Sequence, residues 1–86
     1  MEVTLGAAGT VQSWQEDFKP TVTCDCCGGT ARLAFVAYEL GNDDQNVCDL
    51  YDNDCADDKF WPHDCIAVAV YFCGKCCKPC VDWNQA

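Results

Sequence analysis

Cysteines stand two residues apart near both ends of the chain, in Cys24-Asp25-Cys26-Cys27 and in Cys73-Gly74-Lys75-Cys76. This spacing constrains the fold more than any other feature. A two-residue spacer lets two thiolates reach one ion from a single tight turn, and two such turns supply the four soft, tetrahedral ligands that zinc prefers. Gly28, Gly29 and Gly74 sit where the backbone must bend and turn its amides toward the sulfurs. The need for such a device follows from size. A chain of 86 residues makes one domain whose core leaves only a thin margin over conformational entropy. Its ten cysteines are the means of closing that gap, as thiolate ligands or as disulfides.

The compartment separates these two uses. Residues 1–10 have neither a basic start nor a continuous apolar run, so they do not read as a secretory signal, and no apolar run approaches membrane-spanning length. The expectation is a reduced, cytoplasmic chain. A secreted chain with five disulfides is the alternative, and the doublets Cys26-Cys27 and Cys76-Cys77 are at home in such scaffolds.

Residues 1–21 read as an N-terminal arm packed on the core, and 22–86 as the domain proper. In the arm, Gly6 and Gly9 break any long helix and Pro20 ends the segment. Trp14 and Phe18, four apart, are expected to share one face of a short helical turn in an otherwise frayed segment. From Val22 the pattern becomes β-like, with runs at 22–24, 31–40 and 66–72. The run 31–40 has apolar residues on both parities, Leu33, Phe35 and Ala37 on one and Val36, Tyr38 and Leu40 on the other, which implies a strand covered on both faces. The runs 31–40 and 66–72 pair antiparallel, and each C-x2-C pair follows a β-like run.

Through Cys24, Cys27, Gly28, Cys73 and Cys76, set at strand ends, the chain resembles the zinc-ribbon class over most of residues 22–80. The resemblance implies a small β-rich, metal-stabilised domain: an antiparallel zinc-ribbon-like sheet with a long acidic loop. Cys77-Lys78-Pro79-Cys80 is a further C-x2-C pair, so Cys77 and Cys80 are alternative ligands; Cys73 is preferred because it ends a strand. Lys75 and Lys78 are the clustered cations that would moderate the two negative charges of a four-thiolate zinc site, or else simply belong to a solvated turn.

Between the two main strands, the acidic stretch 41–64 is too long to be left without an organising element. Cys48, Cys55, His63 and Cys65 are the candidate ligands of a second zinc there. A strand rises ~3.3 Å per residue, which puts Cys65 roughly 25 Å from Cys73 and forbids a shared ion. Disulfides or buried thiols would use the same cysteines. The carboxylates Asp49, Asp52, Asp54, Asp57 and Asp58 lack the glycine and closing glutamate of an EF-hand, and read as a solvated acidic surface rather than a calcium site.

Charge narrows the function. Of fourteen acids, eight lie between Asp43 and Asp64 with only Lys59 among them, and the net charge is −9. Five Lys and Arg residues give little to neutralise phosphates, so direct nucleic-acid binding is disfavoured. A closed four-thiolate site lacks the open position and general base of a metalloenzyme, and the strand-helix-strand setting of a reactive C-x-x-C in a thiol oxidoreductase is absent. Three Trp, three Tyr and four Phe argue for a core and against a metallothionein-like buffer. Trp61 and Trp83 are expected in that core. What remains is a zinc-stabilised acidic protein-interaction or regulatory module, binding a basic surface such as that of a nucleic-acid-handling protein. The alternatives are a secreted disulfide-stapled ligand or inhibitor and a rubredoxin-like iron electron carrier.

Overall fold

The computed structural model describes residues 1–41 and 65–86. They form β1 (Glu2–Leu5), a 3-10 helix (Gly6–Val11), β2 (Thr21–Thr23), β3 (Thr30–Tyr38), β4 (Ile66–Cys73) and β5 (Pro79–Gln85). All five strands join one antiparallel sheet. β3 has β4 on one flank, followed by β5. On its other flank it has two short strands end to end, β1 against residues 35–38 and β2 against residues 30–32.

The pairing of β3 with β4 shifts register between Leu33 and Phe35, at Ala34. One extra residue in a strand moves every later side chain to the opposite face. Ala31 and Leu33 before the shift, and Val36 and Tyr38 after it, therefore share one face, where Ala31 and Val36 are fully buried. This corrects the reading of β3 as covered on both faces: the mixed parity of its apolar residues marks a bulge instead. Ala67, Ala69, Tyr71 and Cys73 of β4 complete the same inner face, with Cys80 of β5 beside them.

The first twenty residues are also more ordered than a frayed arm, since β1 is a sheet strand. Gly6, at φ 63°, turns the chain out of β1, and the 3-10 helix then crosses the inner face. Gly9 lies so close to Val36 that a Cβ there would stand 2.9 Å from Val36 Cγ2. Trp14 and Phe18 cover the core, but without a helical turn between them. The Trp14 ring stacks on Tyr38 at a centroid distance of 5.1 Å, its Nε1–H donates to the Glu39 carbonyl at 3.1 Å, and its backbone N–H donates to Asn84 Oδ1 at 2.9 Å. The buried Tyr71 hydroxyl donates to the Lys19 carbonyl at 2.7 Å, and the Leu33 amide donates to the Pro20 carbonyl at 3.0 Å. The segment 6–20 thus roofs the inner face and is tied to both sides of the sheet.

β5, like β1, lies outside the β-like runs expected from the sequence. Pro79 opens it, a position where a strand tolerates proline, and β5 lies at the sheet edge. Trp83 on this strand is 38% exposed, which corrects its expected place in the core. Trp61 lies outside the described residues.

Candidate metal centre

β2 delivers the chain into the turn 24–29, and β4 delivers it into the turn 73–78. The two turns are built alike. In the first, the Cys24 amide donates to the Gly29 carbonyl at 2.7 Å and the Gly28 amide to the Cys24 carbonyl at 3.0 Å. In the second, the Cys73 amide donates to the Lys78 carbonyl and the Cys77 amide to the Cys73 carbonyl, both at 3.1 Å. The residue four beyond the leading cysteine has positive φ in each, 73° at Gly28 and 60° at Cys77. Cys77 is the only described non-glycine residue with positive φ. It occupies the position that glycine fills in the first turn.

Facing one another, the turns bring the sulfurs of Cys24, Cys27, Cys73 and Cys76 within 4.8 Å of each other. Across the turns, Cys24 Sγ lies 3.7 Å from Cys76 Sγ and Cys27 Sγ lies 3.5 Å from Cys73 Sγ. A tetrahedral ion with metal–sulfur bonds of ~2.3 Å would hold its sulfurs about 3.8 Å apart, so the cluster has the dimensions of a four-thiolate site. Cys24 and Cys73 are buried, Cys76 is half-buried and Cys27 is exposed.

Backbone amides point at the sulfurs, as ligands carrying negative charge require. The Gly29 amide lies 3.4 Å from Cys27 Sγ, and those of Lys75 and Cys76 lie 3.3 and 3.5 Å from Cys73 Sγ. Hydrogen bonds from the Cys27 and Cys26 amides pull the Cys24 thiol down to about 6 from the ordinary 9.0. The Cys76 and Lys75 amides likewise lower Cys73. For Cys76 the largest influence is the Lys78 amide, which lowers it, yet burial and the three neighbouring sulfurs together push it up to about 12. Cys27 is raised in the same way, the Gly29 amide being outweighed by Cys73 and burial. Within each close pair, Cys24 with Cys76 and Cys73 with Cys27, one thiol is therefore made more acidic and the other less. A divalent ion would take the place of the shared protons.

Gly29 fits against this cluster in a way that no larger residue would. A Cβ there would stand 3.3 Å from the sulfurs of both Cys27 and Cys73 and 3.3 Å from Lys75 Cβ. The sequence marks the residue only as part of a turn, and its contact with the second turn exists only once the two turns meet.

The remaining cysteines divide. Cys26 and Cys77 are exposed and lie outside the four-sulfur cluster. Cys80, the alternative ligand, is 7% exposed at the start of β5. Its thiol accepts a hydrogen bond from the Asp25 amide but is raised overall by burial and by the neighbouring Cys24. It backs the cluster rather than joining it. Cys48, Cys55 and His63 of the second candidate site, and the acidic stretch with its candidate calcium ligands, lie outside the described residues. Cys65 is half-buried, and its carbonyl accepts the Ala86 amide at 3.1 Å. No protein-family model, curated protein or solved structure matches the chain.

Proposed function

We propose that Cys24, Cys27, Cys73 and Cys76 hold one structural zinc ion, and that the chain is a zinc-ribbon-like protein-interaction module of the cytoplasm rather than an enzyme. The observation that supports this most is the pair of matched turns presenting four sulfurs at near-tetrahedral separations, with backbone amides aimed at them. Zinc bound there would close the long chain segment between the turns and contribute its binding free energy directly to folding. Four thiolates leave no coordination position for a substrate or an activated water, so the reading assigns the ion no catalytic role.

The partner is proposed from charge. A net charge of −9, with eight acids gathered at 43–64, steers the chain toward proteins with basic surfaces and away from nucleic acid itself. Two experiments test the reading in turn. First, metal analysis of reduced, purified protein is expected to give at least one zinc per chain, with one equivalent lost in Cys24→Ser and in Cys73→Ser. A red, iron-loaded protein would favour the electron carrier, and a metal-free chain ten hydrogens lighter than its reduced form would favour the disulfide scaffold. Second, zinc-loaded chain immobilised as bait is compared with a variant whose acids at 43–64 are all amidated to Asn. Basic proteins captured by the first and not by the second support the interaction role; identical capture by both refutes it.

A further inference from the structure

The face of the sheet opposite the arm is built from residues that water should not meet. In an antiparallel sheet with one solvated face, the outward positions are ordinarily polar, and those of β2, Thr21 and Thr23, are. Across the other four strands two transverse rows of outward positions are apolar, and beyond them Ile66, paired with Gln85 on the same parity, is buried. One row runs Val3, Ala37, Val68, Trp83 and the next Leu5, Phe35, Val70, Val81. Phe72 extends the patch toward the metal turns and is paired across the strands with Arg32. Leu5 is 74% exposed, Val81 59%, Val3 58% and Phe72 47%. The bulge at Ala34 makes this face, because it turns Phe35 and Ala37 outward while sending Val36 and Tyr38 in.

We propose that this face is a self-association surface, on which two copies of the chain pack sheet to sheet about a two-fold axis. Area and charge both favour a second copy as the occupant. The exposed side chains of the patch present roughly 600 Å² of apolar surface, so a pair of copies would bury about 1,200 Å², the lower end of the range for stable interfaces. No carboxylate occupies either row. Of the six acids outside 43–64, Glu2 and Asp82 sit on the inner parity, Glu16 and Asp17 on the roofing segment and Asp25 in the first cysteine turn, while Glu39, just beyond β3, is fully buried. Among the described residues, the two rows therefore set no carboxylate against its own copy where two chains would meet. A basic partner, by contrast, would find nothing on this face to pair with. Twisted sheets stack with strands about 30° apart and side chains interdigitating across ~10 Å, and a two-fold axis brings each row against its own copy.

The test is sedimentation velocity of the zinc-loaded 86-residue chain from about 1 to 300 μM, with Leu5→Glu, Val81→Glu and Val11→Glu beside the wild type. All three positions are exposed, and Val11 lies on the 3-10 helix, away from the rows. The wild type and Val11→Glu are expected to pass from monomer to dimer in the tens of micromolar. Leu5→Glu and Val81→Glu are expected to weaken that step at least about tenfold, since each buries a charge twice per dimer. Circular dichroism and zinc content, measured on every sample, identify variants that remain folded. A wild type that stays monomeric throughout, growth beyond a dimer, or a dimer indifferent to both face variants would overturn the proposal. A dimer without zinc would instead sink the metal reading and leave this one standing.

Discussion

The two cysteine turns share one backbone but not one residue at its most demanding point, and exchanging those residues should move stability in opposite directions. Gly28 has φ 73° and Cys77 φ 60°. A side chain at position 28 would meet nothing within 4 Å, so the cost of Gly28→Ala is conformational only. An L-residue in the left-handed region costs roughly 1–2 kcal/mol, and the stiffer unfolded chain of alanine returns about 0.4–1 kcal/mol of that. The net loss is about 1 kcal/mol, a fall in Tm of roughly 4–8 °C for a domain of this size. Cys77→Gly runs the same exchange backwards and should raise Tm by a similar amount, roughly 4–8 °C. Cys77→Ala, which removes the thiol but keeps the strain, should melt within about 2 °C of wild type. The assay is thermal unfolding by circular dichroism at one fixed free-zinc concentration, because zinc binding itself shifts Tm. If Cys77→Ala stabilises as much as Cys77→Gly, the thiol rather than the backbone is responsible and the reasoning fails. It fails equally if Gly28→Ala melts at or above wild type.

Three further outcomes follow from the same geometry. Gly29→Ala presses a methyl group against two ligand sulfurs at 3.3 Å and should weaken zinc binding by at least about tenfold in chelator competition, whereas Gly28→Ala leaves zinc affinity within about threefold once folded. Tyr71→Phe removes the hydrogen bond to the Lys19 carbonyl from a fully buried site and should cost about 1–2 kcal/mol in urea unfolding, with zinc content unchanged. Zinc affinity should fall with pH, because the ion must expel each proton still on a ligand. Near neutral pH, Cys76 (pushed up to about 12) and Cys27 (raised) are protonated, while Cys24 (about 6) is not. The slope of log affinity should therefore be about two to three per pH unit between pH 7 and 8 and should steepen by about one as Cys24 takes up its proton below pH 6; a slope of one or less would show that the four thiols do not act together.

The two cysteine turns were legible because their chemistry is local: two cysteines and a two-residue spacer specify a turn without knowledge of the rest of the chain, and in the first of them glycine follows. The runs that became β3 and β4 were legible for a related reason, since β-branched and aromatic residues concentrate at 66–72 and leave few other conformations. Three features needed the third dimension. The bulge at Ala34 mixes the parities of β3, and mixed parity alone also describes a doubly covered strand. β1 and β5 are short edge strands whose sequences carry polar residues at alternate positions, and only pairing with β3 and β4 makes them strands. Gly9 and Gly29 look like ordinary turn residues, although their role is to let two pieces of backbone approach. The special backbone of Cys77 has a signal in the sequence, because aligning the two turns on their leading cysteines sets it opposite Gly28.

The central claim is a four-thiolate zinc ion joining the turns at 24–29 and 73–78. Zinc-edge X-ray absorption of the chain loaded with one equivalent of zinc tests it most directly, with the Cys48→Ser/Cys55→Ser variant used so that zinc cannot occupy the second candidate site. A single shell of four sulfurs at about 2.3 Å, lost from Cys24→Ser and Cys76→Ser, is the predicted result. A shell containing nitrogen or oxygen in the parent variant, or a chain that retains no zinc while all its thiols are reduced, would contradict the account.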